Sequence, residues 1–159
     1  MQLKPYEDKY KNQVIALILY LQNYDNKVDL SLEEQPDMNA IPRYYFETGG
    51  NFWIVVNDED LVVGTIGFLV KGKTGVLKKF FVHPDYRGRD KGVSTPLYDK
   101  LIETAKEKEL DAIVLDTPAN CHAAHRFYEK KGFVRIEKDD LPVQYDYPDR
   151  DSLLFLLEL

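Results

Sequence analysis

The stretch Val82-His83-Pro84-Asp85-Tyr86-Arg87-Gly88-Arg89-Asp90-Lys91-Gly92-Val93-Ser94 concentrates the chemically useful residue types of this chain. Gly88 and Gly92 let backbone amides approach a ligand with no side chain between. The pattern predicts a helix from about Val93, and the unpaired amides and dipole of a helix start favour an anion. Arg87, Arg89 and Lys91 add positive charge. Pro96 suits a first helical turn, where its missing N–H would have had no partner. A pyrophosphate-bearing cofactor is the natural guest of such a loop; a glycine-containing surface turn with solvated charges is the plain alternative. The glycine spacing matches neither the G-x-x-x-x-G-K-[ST] phosphate loop nor the Rossmann fingerprint.

Other groups have the right types without a defining spacing. Cys121, His122, His125 and Asp116 could supply a thiol nucleophile and its base, but adjacency in sequence specifies no such geometry. His122 and His125 stand three apart on a helix; with no third ligand at a recognisable spacing, no metal is expected. Tyr44, Tyr45, Phe46, Phe52 and Trp53 either line an acceptor pocket or, as expected here, pack in the core. The acidic, aromatic segment Lys138–Asp151, and Glu33, Glu34 and Asp37, either attract a cationic amine or form solvated connections.

The elements that position these groups follow from periodicity. Gln2 to Pro5 reads as a short edge strand. Apolar residues recur at three and four positions between about Glu7 and Tyr24, which predicts a helix with one broad buried face. Residues 25–50 are polar and mixed, and read as one or two short helices joined by loops. From Asn51 the period changes. Phe52 to Val56, Leu61 to Val70 and Gly75 to Val82 are β-branched and aromatic runs separated by tight turns, an antiparallel meander. A helix carrying Val93, Leu97, Leu101, Ile102 and Ala105 follows, then a strand at Ala112–Leu115. A helix from about Asn120 to Lys131, a strand from Phe133 to Ile136 and a last strand from Leu153 to Leu159 complete the chain. This order indicates an α+β (mixed α/β) class, with a mostly antiparallel central sheet flanked by helices.

Composition narrows the field. One hundred and fifty-nine residues suit a single domain over residues 1–159. Acidic residues outnumber basic ones by 27 to 21, giving a net charge of −6, which argues against nucleic acid as partner. One cysteine excludes an internal disulfide framework and fits a reducing compartment. No apolar stretch is long enough for a membrane helix and the N-terminus lacks a signal-peptide core, so a soluble, cytoplasmic protein is expected.

Two stretches resemble one known family. Arg89-Asp90-Lys91-Gly92-Val93-Ser94 is similar to the acyl-CoA loop Q/R-x-x-G-x-G/A of the GCN5-related N-acetyltransferases, with serine in the last place. Val82 to Gly88 looks like that family's strand end, here with two residues more before the final glycine. Ala124-His125-Arg126-Phe127-Tyr128-Glu129-Lys130-Lys131-Gly132-Phe133 is similar to its A-x-x-x-Y-E-K-x-G-F helix and strand. The resemblance implies the acyl-CoA N-acyltransferase fold and acetyl-CoA as acyl donor, lying in a V-shaped opening after the third meander strand. It implies that the backbone of Phe80, Phe81 and Val82 holds the pantetheine arm and that amides from Arg89 to Ser94 hold the pyrophosphate. Tyr128 matches the tyrosine that protonates the departing thiolate, a role a phenol can fill.

The chain also departs from the family. Where the family often has asparagine, seven residues before that tyrosine, this chain has Cys121, with Asn120 adjacent as a substitute contact. The family's glutamate on the strand before the loop is absent: Lys78 and Lys79 stand there. Asp116, at a strand end, and His83 become the candidate bases. The expectation is an N-acetyltransferase that passes the acetyl group of acetyl-CoA to a primary amine by direct attack. The acceptor is open among a small molecule, an amino acid and a peptide N-terminus. A non-catalytic acyl-CoA-binding regulator or a protein-interaction domain is the alternative. Sheet edges make a homodimer compatible with the pattern.

Overall fold

The protein is described here by a computed structural model covering residues 1–88, 90, 92–148 and 151–159. Strand β1 (Gln2–Pro5) leads through a 3₁₀ turn at Asp8–Tyr10 into helix α1 (Lys11–Tyr20), which runs on as a π turn at Leu21–Asp25. The single helix expected from Glu7 to Tyr24 is therefore divided into three. Its core-facing set is as read: Tyr10, Val14, Leu17, Ile18 and Leu21 are buried. The region 25–50 holds a 3₁₀ turn (Pro36–Asn39) and a π turn (Pro42–Phe46), each opened by a proline whose missing N–H costs nothing there.

The meander is β2 (Asn51–Val56), β3 (Val62–Lys71) and β4 (Thr74–Val82), followed by α2 (Ser94–Glu107), β5 (Ala112–Pro118), α3 (His122–Lys130), β6 (Val134–Ile136) and β7 (Ser152–Glu158). Seven strands form one sheet in the order β1-β2-β3-β4-β5-β7-β6. Every neighbouring pair is antiparallel except β4 and β5. The parallel pair exists because α2 carries the chain back across the sheet, as a parallel connection requires. Helices α2 and α3 cover one face, burying Leu97, Leu101, Ala105 and Tyr128 against Trp53, Phe68, Ile113 and Phe155. The other face is covered by α1 and the 36–46 turns at the β2 end. At the β5 end Leu141 and Tyr145 pack there on Val76, Val114 and Leu154.

One irregularity in the sheet shapes the site. The pairing of β3 with β4 shifts between Thr65 and Gly67, and Lys79 opposite takes a left-handed backbone with φ of 51°. This is a β-bulge, which bends the strand that carries it. The Thr65 hydroxyl donates to the Lys79 carbonyl at 2.7 Å and holds the bulge in place. Consequently β4 pairs with β5 only over Thr74–Val76 and Ala112–Val114, and beyond that both strands continue without bonding to each other. The two strands part like a V.

Among the described residues, no helix is long and apolar enough to cross a membrane. Of the aromatic residues expected in the core, Tyr45, Phe52 and Trp53 are buried and Phe46 is partly buried, whereas Tyr44 is exposed.

Candidate active site

A cavity of about 730 Å³ opens where β4 and β5 part. Its walls are β4 from Leu77 to Val82, β5 from Asp116 to Pro118, the first turns of α3, and the turn after α1. Phe80, Phe81 and Val82, expected to face an acyl carrier, line it. Past Val76 the β5-facing edge of β4 has no strand partner, so backbone groups there not already taken, as the Val82 carbonyl is by Arg87, can pair with an extended amide-bearing ligand. Arg87, Gly88, Ser94, Asp116, Asn120 and Tyr128 also line the cavity, so residues drawn from four elements and two loops meet there.

Four expected residues lie elsewhere. The His83 ring is turned to the following turn, its Nδ1 accepting from the Asp85 amide at 3.1 Å, and His83 is not part of the cavity wall. Val93 is fully buried, packed in the core at the start of α2. Asp90 and Gly92 are exposed beside the cavity rather than in its lining. Arg89 and Lys91 fall outside the described residues.

The polar groups already bind one another. The Arg87 guanidinium meets the Asp25 carboxylate at 2.9 Å and donates to the Val82 carbonyl at 3.0 Å. The Asn120 amide donates to the Asn26 carbonyl at 2.8 Å. The turn after α1 is thus tied across the cavity mouth from both sides. Tyr128 is buried between the rings of Phe127, Phe133 and Phe155. Burial first, and the Asp116 carboxylate second, push its phenol pKa well above the ordinary value. Tyr128 is therefore protonated in the folded protein, the state from which a donor must start, while the raised pKa makes the proton harder to give. Asp116 accepts from the Tyr145 hydroxyl at 3.0 Å. The 138–148 segment is anchored to the sheet by Leu141 and Tyr145 and reaches the cavity wall at Pro148, while Lys138, Asp139, Asp140, Pro142, Gln144 and Asp146 are exposed.

The Cys121 thiol donates to Asn120 Oδ1 at 3.7 Å, and its pKa is raised by burial and by Asp25. His125 spends Nε2 on the Pro118 carbonyl at 2.9 Å. No thiol–histidine bond forms among the described residues, so the thiol-nucleophile reading finds no geometry here.

Sequence reasoning missed a buried polar cluster on the sheet face opposite α2 and α3. The Lys79 ammonium donates to Gln35 Oε1 at 2.7 Å and lies 3.8 Å from Asp37 Oδ2. That same Asp37 oxygen accepts from the Tyr45 hydroxyl at 2.6 Å. Gln35 and Gln22 exchange amide hydrogen bonds at 2.9 and 2.8 Å. Burial lowers the Lys79 pKa to about 8, against the upward pull of Asp37. The signal available was two consecutive lysines inside a strand: both cannot face solvent unless the strand bulges.

With this geometry in view, the comparisons decide the family. The family described as "Acetyltransferase (GNAT) family" matches residues 18–133. The chain belongs to the GNAT acetyltransferase family. A solved GNAT-fold structure, an acetyltransferase from Streptococcus agalactiae 2603, superposes with a TM-score of 0.93 at 38% identity, covering 99% of this chain and 98% of that one. N-acetylaspartate synthetase of Rattus norvegicus is 32% identical over 131 residues, 80% of this chain. This chain spans 42% of that protein's length. N-alpha-acetyltransferase 30 of Schizosaccharomyces pombe is 27% identical over 139 residues, 84% of each chain. The GNAT acyl-CoA N-acyltransferase fold expected from the two sequence stretches is the fold observed, down to the parted fourth and fifth strands.

Proposed function

We propose that this protein transfers the acetyl group of acetyl-CoA to the amine of an acceptor, and that the acceptor amine is an α-amine. The observation that carries the reading is the parted β4–β5 pair, which leaves an unpaired strand edge on one wall and Tyr128 on the other, around one cavity. The names of the two relatives favour an α-amine: one makes N-acetylaspartate and the other acetylates α-amino groups.

Acetyl-CoA supplies an activated acetyl group as a thioester. The residues present suit it. The β4 edge at Phe80–Val82, which lacks a strand partner on the β5 side, offers backbone groups to an extended amide chain. Gly88 and the start of α2 at Ser94 offer backbone N–H groups, and a 14-residue helix adds its dipole, to an anionic pyrophosphate. Asp116 takes the proton from the acceptor ammonium, held in orientation by Tyr145. The freed amine attacks the acetyl carbonyl directly, and Tyr128 gives its proton to the leaving thiolate, so no covalent enzyme intermediate is needed. His83 is assigned no step.

Thermal unfolding with and without acetyl-CoA tests the binding half. A ligand held only by the folded state stabilises it by about 2.7 kcal/mol at a hundredfold excess over its dissociation constant. Wild type is expected to show a raised midpoint. Gly88→Glu, which places an acid in the wall at a residue with φ of 108°, is expected to show none relative to its own unliganded midpoint. No shift in wild type at millimolar acetyl-CoA contradicts the proposal.

A further inference from the structure

Lys79, one of the two lysines on the strand before the loop, is not spare charge. Lys79 sits on the bulge of β4 with its side chain only 5% exposed, yet it forms part of the cavity wall. An ammonium carries three N–H donors. Among the described residues one is used at full hydrogen-bond strength, on Gln35 Oε1, and the Asp37 carboxylate forms an ion pair at 3.8 Å, longer than a hydrogen bond. Neither neighbour can move closer freely. Asp37 is held by the Tyr45 hydroxyl, and Gln35 by its paired amide bonds with Gln22. The adjacent Lys78 is committed to the Asp146 carbonyl at 2.9 Å, over the Tyr145 ring. The ammonium of a residue in the cavity wall thus has one full hydrogen bond and one long ion pair, which leaves an N–H donor that an incoming carboxylate can take.

Its counterpart lies on the other strand of the V. Asp116 lines the same cavity and is close enough to Lys79 for its charge to be felt there, yet the two form no ion pair. The carboxylate on β5 suits an ammonium and the ammonium on β4 suits a carboxylate. Opposite charges held apart across one cleft are complementary to a zwitterion.

We infer that Lys79 binds the carboxylate of the acceptor, so that the acceptor is a free α-amino acid whose ammonium lies at Asp116, rather than a peptide N-terminus or a simple amine. This rests on the N-acetyltransferase reading of the same site. It adds a specificity-determining role for Lys79, which approaches the substrate without taking part in bond making. The lowered Lys79 pKa fits: a carboxylate in place restores full charge to a lysine that burial has weakened.

The test is acetyl transfer from acetyl-CoA to matched acceptors: the proteinogenic amino acids and, for the best of them, its carboxamide, its decarboxylated amine and a dipeptide beginning with it. Wild type is expected to favour the free amino acid over all three analogues by about 100-fold in kcat/KM, since a site built to pair a charge rejects partners lacking it. Lys79→Gln is expected to raise KM for the amino acid by about 100-fold with kcat nearly unchanged, leave the analogues' KM where it was, and so erase the preference. Lys79→Arg is expected to keep much of it. The wild-type comparison needs no variant, so a Lys79→Gln protein that fails to fold does not rescue the inference. Equal use of amino acid and carboxamide, or preference for the dipeptide, overturns it while leaving N-acetyltransfer intact. A fall in kcat for every acceptor in Lys79→Gln, with a shifted pH profile, makes Lys79 a proton carrier and overturns it as well. No transfer to any amine overturns the functional reading on which it stands.

Discussion

Tyr128→Phe is expected to lower kcat for acetyl transfer by about 10²- to 10⁴-fold, the usual contribution of a positioned acid, while acetyl-CoA binding stays within about twofold of wild type. The expectation rests on how the phenol is held. Its ring is fixed among Phe127, Phe133 and Phe155, so phenylalanine keeps the packing and removes only the hydroxyl. That hydroxyl lies on the cavity wall and makes no hydrogen bond to another described residue, so its loss leaves no orphaned partner. Burial and the Asp116 charge raise its pKa, so the folded enzyme carries Tyr128 protonated throughout the neutral range. The wild-type kcat–pH profile is accordingly expected to show no descending limb from Tyr128 below about pH 10, the ordinary phenol value. A Tyr128→Phe enzyme with unchanged kcat removes the acid role.

Gly50→Ala is expected to destabilise the protein by about 3 kcal/mol, the upper end of the cost of overpacking, or to prevent folding altogether. A β-carbon built at Gly50 falls 1.9 Å from the Phe68 carbonyl oxygen and 3.1 Å from that of Tyr45. Both are backbone atoms, so no side-chain rotation relieves the clash. The junction matters to the site because the Gly50 amide bonds to the Tyr45 carbonyl at 2.9 Å, clamping the 42–46 turn onto the sheet. The Tyr45 hydroxyl in turn holds Asp37 beside Lys79. Gly49→Ala is the control. Gly49 has φ of 93° and open space around its β-position, so alanine there costs only backbone strain, about 1–2 kcal/mol. Urea unfolding of the two variants separates the mechanisms, and a smaller loss at Gly50 than at Gly49 contradicts the close approach.

What the sequence makes legible is local. The meander is readable because β-branched runs of strand length are divided by Asn57–Asp60 and Lys71–Lys73 turns. The cavity wall at Phe80–Val82 and the place of Tyr128 are readable because short motifs fix them relative to a strand end and a helix. The rest depends on contacts far apart in the chain. Lys79 meets Gln35 from 44 residues away, and its inward turn follows from a bulge that no single residue type announces. Asp37 belongs to an acidic group that reads either as an attractor of an amine or as a solvated connection, but it is half-buried and pairs with Tyr45 and Lys79. The 138–148 segment lacks any helical or strand period, yet Leu141 and Tyr145 anchor it to the sheet. Asn120, read as a cofactor contact, lines the cavity while its amide donates to the Asn26 carbonyl, a partner 94 residues away that no local pattern indicates.

The most direct test of the central claim is to incubate the protein with acetyl-CoA and a panel of α-amines, following free thiol and weighing each acceptor by mass spectrometry. Thiol release that depends on the acceptor, with a product one acetyl group heavier on its amine, is the predicted result. Thiol release that is the same without acceptor, or no release with acetyl-CoA demonstrably bound, contradicts it and leaves a protein that holds the cofactor without transferring its acetyl group.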